Sequence, residues 1–401
     1  MNSRKAIIIL LIFVLSFSMA SCTFKKAEDN ENEKKNLKLT ILMKTNENSE
    51  VMKSYIEKFK EMNKDINVEF KEFKNLDEEI IKDLTNGKAD LILSDRSDLI
   101  ELHSNGLINN LNEIYKKNEL ERRMYDVVKT YGRIGESYFG IGIDCRTYEL
   151  IINKENANGL IGDTKDNNDI KKAIAVMKEK GVTLPILCGQ GIEYEDVVIS
   201  SVMNRLVNYN TLLEDYDGTY EHQREKDNIE KGVEIIGSIV KSQIITEKDL
   251  VAGSKEDITK VSSGKIPFLI SDSVNLKDIE SQQQVILMNN MFAENTKIIN
   301  LVDVKNILSI STASQNKDSY GRFIKYVSDE KNLEKLVQSN VVTFDKFVNE
   351  RLGGKYKEVS NHINLSNENN IIFKYGISKE NYTIIKDKIY AAMKAEEKLQ
   401  E

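Results

Sequence analysis

Tryptophan is absent from this chain of 401 residues, and histidine, cysteine and proline are scarce, with three, three and two residues respectively. Without tryptophan, an aromatic surface that stacks on a ligand ring has to come from the 16 tyrosines. His103, His222 and His362 are far apart, and no cysteine or carboxylate stands near them at metal-ligand spacing. The sequence therefore predicts no metal site and no cofactor.

Signatures of catalysis are also missing. Gly189-Gln190-Gly191 lacks the further glycine of the dinucleotide-binding motif, and there is no Gly-x-Ser-x-Gly nucleophile elbow. Residues 215–218, Asp-Tyr-Asp-Gly, begin like a calcium loop but lack its third ligand and terminal glutamate, so a turn before the next helix is the better interpretation. We predict no catalytic residues and expect a protein that is not an enzyme. An anchored hydrolase is the least favoured interpretation.

An excess of positive charge is absent as well. The 64 aspartates and glutamates outnumber the 57 lysines and arginines, which gives a net charge of −7. A protein that binds nucleic acid through its phosphates needs a basic surface. The composition therefore argues against nucleic acid as a partner.

One apolar run stands out in length, and it lies near the start of the chain. Arg4 and Lys5 precede an apolar stretch at 6–17 that only Ser16 interrupts. This run is shorter than the about 20 apolar residues of a membrane-spanning helix and is typical of a signal peptide. Ser18-Met19-Ala20-Ser21-Cys22 is similar to the bacterial lipobox, in which the cysteine thiol carries a diacylglycerol, although Met19 stands where leucine is usual. An ordinary cleaved signal with an incidental cysteine is the alternative.

The lipobox interpretation divides the first 36 residues into two segments. Residues 1–21 form the signal peptide, which leaves Cys22 as a lipidated N-terminus on the extracellular face of the cell membrane. Residues 22–36 are rich in Lys, Glu, Asp and Asn, so they bury too little apolar surface to fold and are predicted to form a flexible tether. Lipidation holds a protein at a membrane without embedding it.

The chain beyond the tether is longer than one hydrophobic core usually serves, so two domains are expected. Strands predicted at 37–43, 66–70 and 89–93 alternate with helices at 50–62 and 77–84. Further strands are predicted at 148–152, 182–187, 266–270 and 307–310, and further helices at 225–240, 319–327 and 380–399. This alternation predicts parallel pairing and α/β sheets.

Four stretches carry a family pattern. Residues 87–93 read Gly-Lys-Ala-Asp-Leu-Ile-Leu before a helix that ends in Gly106-Leu107, and residues 138–154 run from Tyr-Phe-Gly-Ile to a strand ending Ile-Asn-Lys. Residues 261–270 read Val-Ser-Ser-Gly-Lys-Ile-Pro-Phe-Leu-Ile, and 308–327 contain Asn-Lys-Asp before an apolar helix. In this order they resemble the extracellular solute-binding proteins of ABC importers, in the branch that includes sugar binders. Two departures are a missing proline near Gly140 and Ile152 in place of a tyrosine.

The resemblance implies an α/β, periplasmic-binding-protein-like fold with two lobes and a ligand cleft between them. The first lobe is expected to take residues 37–141 and 272–306, and the second 146–268 and 312–395. The connections are expected near 140–146, 268–272 and 309–313. The lobes would close on a ligand by hinge motion, driven by a higher affinity for the closed state.

Candidate ligand-binding residues follow from this cleft, because strand ends and hinge loops would line it. Carboxylates and arginines suit sugar hydroxyls, since each binds two neighbouring groups. The aromatic candidate is Tyr194, with Tyr209 and Tyr220 as weaker ones. A solvated surface charge, or core packing for the tyrosines, is the alternative for each. The predicted ligand-binding residues are Lys44, Asn46, Asp95, Arg96, Asp144, Arg146, Gln190, Glu193, Tyr194, Asp272 and Ser273.

The resulting functional hypothesis is a monomeric lipoprotein that captures a small solute, which the resemblance implies to be a carbohydrate, and delivers it to ABC permease subunits. The alternative is a surface lipoprotein of the same fold that acts as a sensor or partner-binding subunit. Cys145 and Cys188 have two possible states in an exported protein, a disulfide or buried free thiols. Free thiols are favoured, because the sequence does not place them within bonding distance.

Overall fold

The computed structural model describes residues 37–157, 176, 179, 186–188, 194–241, 255–279, 285–288 and 300–397. The side chains of 186–188 and of Tyr194 lie outside that description. The predicted signal peptide, Cys22 and the tether also lie outside the described residues, as do Gln190 and Glu193.

Two sheets form the framework of the described chain. The first has the strand order β2-β1-β3-β12-β6, and the second has the order β10-β7-β9-β8, with β11 also paired to β7. A two-residue hairpin joins β4 to β5. The strands are β1 Leu37–Lys44, β2 Ile66–Phe73, β3 Leu91–Ser94, β4 Arg133–Ile134, β5 Ser137–Tyr138, β6 Ile141–Gly142, β7 Arg146–Asn153, β8 Ile186–Cys188, β9 Phe268–Asp272, β10 Val285–Met288, β11 Leu301–Asp303 and β12 Ile307–Ile310.

Fifteen α-helices occur among the described residues. They are α1 Ser49–Met62, α2 Glu78–Thr85, α3 Arg96–Ser104, α4 Asn112–Lys117, α5 Leu120–Arg123, α6 Asp126–Gly132, α7 Lys154–Ala157, α8 Tyr194–Met203, α9 Tyr209–Glu214, α10 Lys226–Lys241, α11 Lys255–Ser262, α12 Lys317–Ser328, α13 Glu330–Gln338, α14 Gly354–Asn364 and α15 Lys379–Glu397. Short 3₁₀ turns lie at Tyr220–His222, Ser273–Asp278, Val348–Arg351, Glu368–Asn370 and Phe373–Gly376.

The first sheet is buried on both faces at its centre. All four residues of β3 are buried, and Ile41 to Met43 of β1 pair in parallel with Leu91 to Leu93. Helix α1 covers this sheet with an apolar stripe that includes Tyr55 and Phe59. Phe323 of α12 meets Phe59 edge to face at 5.0 Å between ring centroids. Aromatic packing therefore attaches α12 to the first sheet's helical layer.

Strand β7 organises the second sheet. Its apolar half, Leu150 to Ile152, is fully buried, as expected for a strand with neighbours on both sides. It pairs antiparallel with β9 on one side and with β10 and β11 on the other. Parallel pairing, predicted throughout, occurs between β1 and β3 and between β8 and β9, whereas β12 runs antiparallel to β3 and β6. The reversal arises because β12 enters the first sheet directly from β11 of the second.

The strand pairing differs from the predicted lobe boundaries in two places. Residues 285–288 and 301–303 belong to the second sheet, because their apolar strands occupy the edge of β7. Residues 307–338 belong with the first sheet, because β12 pairs with β3 and α12 packs on α1. The chain therefore passes between the two sheets at 143–145, at 304–306 and after α13.

Cys145 is a buried free thiol whose Sγ lies 3.2 Å from the carbonyl oxygen of Thr343. Within the described ranges, no helix combines the length and the apolar character that crossing a membrane requires.

Candidate functional site

The three connections between the sheets meet at Asp144, which is fully buried. The backbone N–H of Ile143 donates to the carbonyl of Asn306 (2.8 Å), and the N–H of Asn306 donates to Asp144 Oδ1 (3.2 Å). The third connection is tied in by the N–H of Cys145, which donates to the carbonyl of Val342 (2.8 Å). A carboxylate at this point accepts bonds from neighbouring segments and holds the junction together.

A buried arginine joins this junction to both sheets. Arg146, the first residue of β7, has its guanidinium 2.9 Å from Asp272 Oδ2, 2.9 Å from Glu47 Oε2 and 3.3 Å from Asp144 Oδ2. Glu47 comes from the loop after β1, whereas Asp272 ends β9. Burial alone disfavours the charge on Arg146, but the three carboxylates outweigh it and raise its pKa. Arg146 therefore remains a cation with its partners in place.

Three asparagines complete this cluster. Asn48 and Asn306 both donate to Asp144 Oδ2, at 2.6 and 3.0 Å, and Asn46 donates to Asn306 Oδ1 at 2.9 Å. Amide groups satisfy the acceptor capacity that the arginine leaves over.

A second charged group lies at the end of β1 and the start of α3. Lys44 Nζ is 2.8 Å from Asp95 Oδ2 and 2.9 Å from Asp98 Oδ2. Asp95 is also the N-cap of α3, because its Oδ1 accepts the backbone N–H of Asp98 at 3.1 Å. Burial and the neighbouring Asp95 raise the pKa of Asp98 to about 6, despite Lys44. The two carboxylates thus share one lysine.

A polar cavity of about 90 Å³ opens beside the junction. Lys305 Nζ lies 2.8 Å from Asp303 Oδ2, and the hydroxyl of Tyr148 donates to the same oxygen at 2.9 Å. Burial disfavours the charge on Lys305, but Asp303 and Tyr148 raise its pKa. The residues lining the cavity are Tyr148, Asp196, Val197, Asp303, Lys305, Ile372, Lys374 and Tyr375.

Arg96, the first residue of α3, is fully buried. Its Nη1 donates to the carbonyl of Tyr131 at 3.0 Å. Tyr131 in turn donates from its hydroxyl to the carbonyl of Val302 (2.6 Å) in the second sheet. Arg96 therefore lies where the layers of the two sheets meet.

Comparison with known proteins gives structural relatives only. No family model and no curated protein matches this sequence. Among solved structures, the sugar-binding protein MalE of Xanthomonas citri aligns with a TM-score of 0.69 at 12% identity, over 90% of this chain and 92% of that one. The GacH receptor of Streptomyces glaucescens, solved unliganded and with acarbose, aligns at 0.64 and 14% identity over 90% and 93%. An ABC transporter solute-binding protein of Thermotoga lettingae, bound with α-D-tagatose, aligns at 0.61 and 14% identity over 89% and 93%.

This chain has the solute-binding-protein fold.

Within the solute-binding-protein fold, the structure brings together most of the predicted residues that it describes. Lys44 and Asp95 form one ion pair, and Asp144, Arg146 and Asp272 form another group, which Asn46 joins through Asn306. Ser273 lies next to this group, where its Oγ accepts the backbone N–H of Thr147 at 3.1 Å. Tyr194 begins α8 two residues before Asp196 of the cavity, but its side chain lies outside the described residues.

Several residues of the site were not predicted. Asp98 has a local signal, because it lies one helical turn after Asp95, a capping residue. Asp303 ends β11, and Lys305 and Asn306 follow it, but their significance depends on β11 lying against β7. Tyr148 sits inside a predicted strand, and Lys374 and Tyr375 lie in a 3₁₀ turn far along the chain, so the sequence contains no signal that joins them.

Proposed function

We propose that this protein is a membrane-anchored extracellular solute-binding lipoprotein that captures a carbohydrate or other small solute for an ABC transporter. The observation that carries the proposal is the cluster of ion-paired and hydroxyl-bearing side chains at the junction of the two sheets. Two solved structures of this fold are a receptor in complex with acarbose and a sugar-binding protein, which supports a binding role. The proposal accordingly assigns no catalytic role to any residue.

The chemistry of the cavity supports a polyhydroxylated ligand. Asp303, Lys305 and Tyr148 offer acceptors and donors within hydrogen-bonding distance of one another. Sugar hydroxyls donate and accept at once, so they can insert into such pairs without leaving a group unsatisfied. Tyr375 supplies an aromatic ring beside Lys305, whose Nζ is 6.0 Å from the ring centroid. That ring can provide the stacking surface that tryptophan would otherwise give.

The size of the cavity implies opening. At about 90 Å³ it is below the about 300–1,000 Å³ usual for a small-molecule site. A sugar therefore requires the two sheets to move apart at the three connections, as in hinge closure.

A thermal-shift screen of the full chain against neutral and charged mono- and oligosaccharides tests the binding function. A ligand present at 100 times its Kd should add about 2.7 kcal/mol to the free energy of unfolding. Lys305→Met should abolish the shift, whereas Lys325→Met, on the exposed face of α12, should leave it unchanged. The absence of a shift with every sugar would overturn the carbohydrate assignment.

The anchor is tested separately. In a bacterial host that processes lipoproteins, the wild-type chain should label with a fatty-acid analogue and sediment with membranes. Cys22→Ser should do neither and should leave ligand binding intact. A Cys22→Ser protein that still labels would remove the anchor from the proposal without touching solute binding.

One observation favours the alternative function, a sensor or partner-binding subunit of the same fold. Arg146 and Lys44 already have carboxylate partners within the protein, so neither needs a ligand to neutralise it. Under this alternative no solute produces a shift, and a surface partner is recovered by crosslinking on intact cells.

A further inference from the structure

One cation at the junction differs from the rest. Arg146, Lys44 and Lys305 each have a carboxylate within 3.0 Å, and Lys374 is paired with Asp196. Arg96 is 0% exposed, yet no carboxylate of the described residues forms an ion pair or a hydrogen bond with it. A buried charge without a partner is strongly disfavoured, so its retention needs an explanation.

Two nitrogens on one edge of the Arg96 guanidinium lack a partner among the described residues. Nη1 is used by the carbonyl of Tyr131, whereas Nε and Nη2 have no hydrogen-bond partner in the part of the chain that the structure describes. Nε and Nη2 form the side-on edge of an arginine, whose two parallel N–H groups match the two oxygens of one anionic group.

The acids next to Arg96 in the described part of the chain do not compensate for its charge. The adjacent Asp95 is committed to Lys44 through Oδ2 and to the backbone of α3 through Oδ1. Tyr209 and Tyr216 lie close enough to the guanidinium for its charge to oppose the rise in their pKa values that burial causes. Tyr209 donates its hydroxyl to the carbonyl of Tyr375 at 2.9 Å. Burial raises the pKa of Tyr209 to about 12, although Arg96, whose guanidinium lies within reach of that hydroxyl, opposes the rise. Tyr209 is therefore a neutral neighbour and not a counter-ion.

We infer that the solute carries an anionic group, a carboxylate, phosphate or sulfate, that binds the Nε and Nη2 edge of Arg96. This inference rests on the proposed solute-binding function and narrows its ligand to an acidic sugar. Arg96 selects the charge, while the hydroxyl-bearing part of the ligand lies toward the cavity around Lys305 and Tyr375. Tyr375 connects the two regions, because its carbonyl accepts the hydroxyl of Tyr209, a neighbour of Arg96, and its ring lies 6.0 Å from Lys305 Nζ.

Matched ligand pairs test the inference. The full chain is titrated calorimetrically with glucuronate, galacturonate and glucose 6-phosphate, and with glucose and galactose as neutral counterparts. At least one acidic sugar should bind tenfold or more tightly than its neutral counterpart. The uronates and the sugar phosphate then show which anionic group the site takes.

Substitution of Arg96 supplies an independent readout. Arg96→Met should reduce the affinity for the acidic sugar at least tenfold and leave weak binding of the neutral sugar unchanged. Because it removes an unpaired buried charge, it should also raise the melting temperature without ligand, whereas loss of a purely structural arginine would lower it. Arg322→Met, at an exposed ion pair, should change neither value.

The outcomes separate the two proposals. Tighter binding of neutral than acidic sugars, or an unchanged charge preference in Arg96→Met, would overturn the anionic ligand and leave solute binding standing. No binding of any sugar by the wild-type chain would overturn both.

Discussion

At the residue scale, Arg146 is the side chain on which the junction depends. Arg146→Ala leaves Asp144 and Asp272 buried without their cation, at 0% and 3% exposure. Removal of one partner from a buried ion pair costs about 3–5 kcal/mol, because the remaining charge keeps its desolvation penalty. Urea denaturation of Arg146→Ala should show a loss of that size in the free energy of unfolding.

Arg322→Ala is the matched control for this prediction. Arg322 pairs with Asp65 at 2.7 Å, but both side chains are about half exposed. Such surface pairs contribute about 0–1 kcal/mol. Equal losses in the two variants would show that the buried cluster has no special role in stability.

A pH dependence follows from Asp98. Burial and Asp95 raise its pKa from 3.8 to about 6 in the folded protein, so between these values the folded state holds a proton that the unfolded state releases. The free energy of unfolding should therefore fall as pH rises from about 4 to about 6, by up to about 2–3 kcal/mol from this group. Asp98→Asn should remove that part of the profile. A profile identical to wild type in chemical denaturation would contradict the shifted pKa.

Individual side chains show how far the sequence predicts the site. Asp144, Arg146 and Asp272 stand at strand ends, and strand ends were enough to select them. Asp303 and Lys305 also stand at a strand end, but β11 is three residues long and its pairing with Arg146 to Tyr148 is not encoded locally. Tyr375 is brought in by tertiary packing alone. Site residues at the end of a predicted strand can thus be selected from the sequence. Site residues whose position depends on which strand that element pairs with cannot.

At the element scale, the end of α6 leaves no room for a side chain. A Cβ at Gly132 would lie 2.1 Å from the carbonyl oxygen of Gly140, which is backbone and cannot rotate away. Gly132→Ala should therefore destabilise the protein by about 1–3 kcal/mol through forced backbone movement. Calorimetric melting measures this change.

Gly321 provides the opposite case in α12. A Cβ there meets nothing within 4 Å, and the residue lies inside a helix. Gly321→Ala should stabilise the protein by about 0.5–1 kcal/mol, because alanine has the higher helix propensity. Destabilisation by both substitutions would show that the close approach at Gly132 does not determine its effect.

Sequence periodicity predicts the position of a helix or strand more reliably than it predicts which other strand it pairs with. Helix α1 was predicted from the spacing of Met52, Tyr55 and Phe59, and these residues are buried as expected. The apolar strands β10 and β12 have similar composition, yet one pairs with β7 and the other with β3. Apolar character predicts burial in a sheet but not which sheet, so the observed sheets differ from the predicted lobes.

At the scale of the whole molecule, the bond between Glu47 and Arg146 joins side chains from both sheets across the junction. Glu47 follows β1 of the first sheet and bonds at 2.9 Å to Arg146 of the second. Its side chain is 33% exposed, so it can separate from Arg146 into water at less cost than the fully buried Asp144. Glu47 is therefore the partner through which separation of the two sheets would begin.

Glu47→Gln should accordingly shift the unliganded protein toward a more open arrangement. The amide keeps a hydrogen bond to Arg146 but loses the charge interaction, and a two-state equilibrium moves by the difference in that interaction between its states. Small-angle scattering should report a larger radius of gyration for Glu47→Gln than for wild type. Glu50→Gln, whose side chain is 86% exposed and pairs with Lys53, should scatter like wild type. Identical curves for all three proteins would mean that separation of the two sheets does not begin at Glu47.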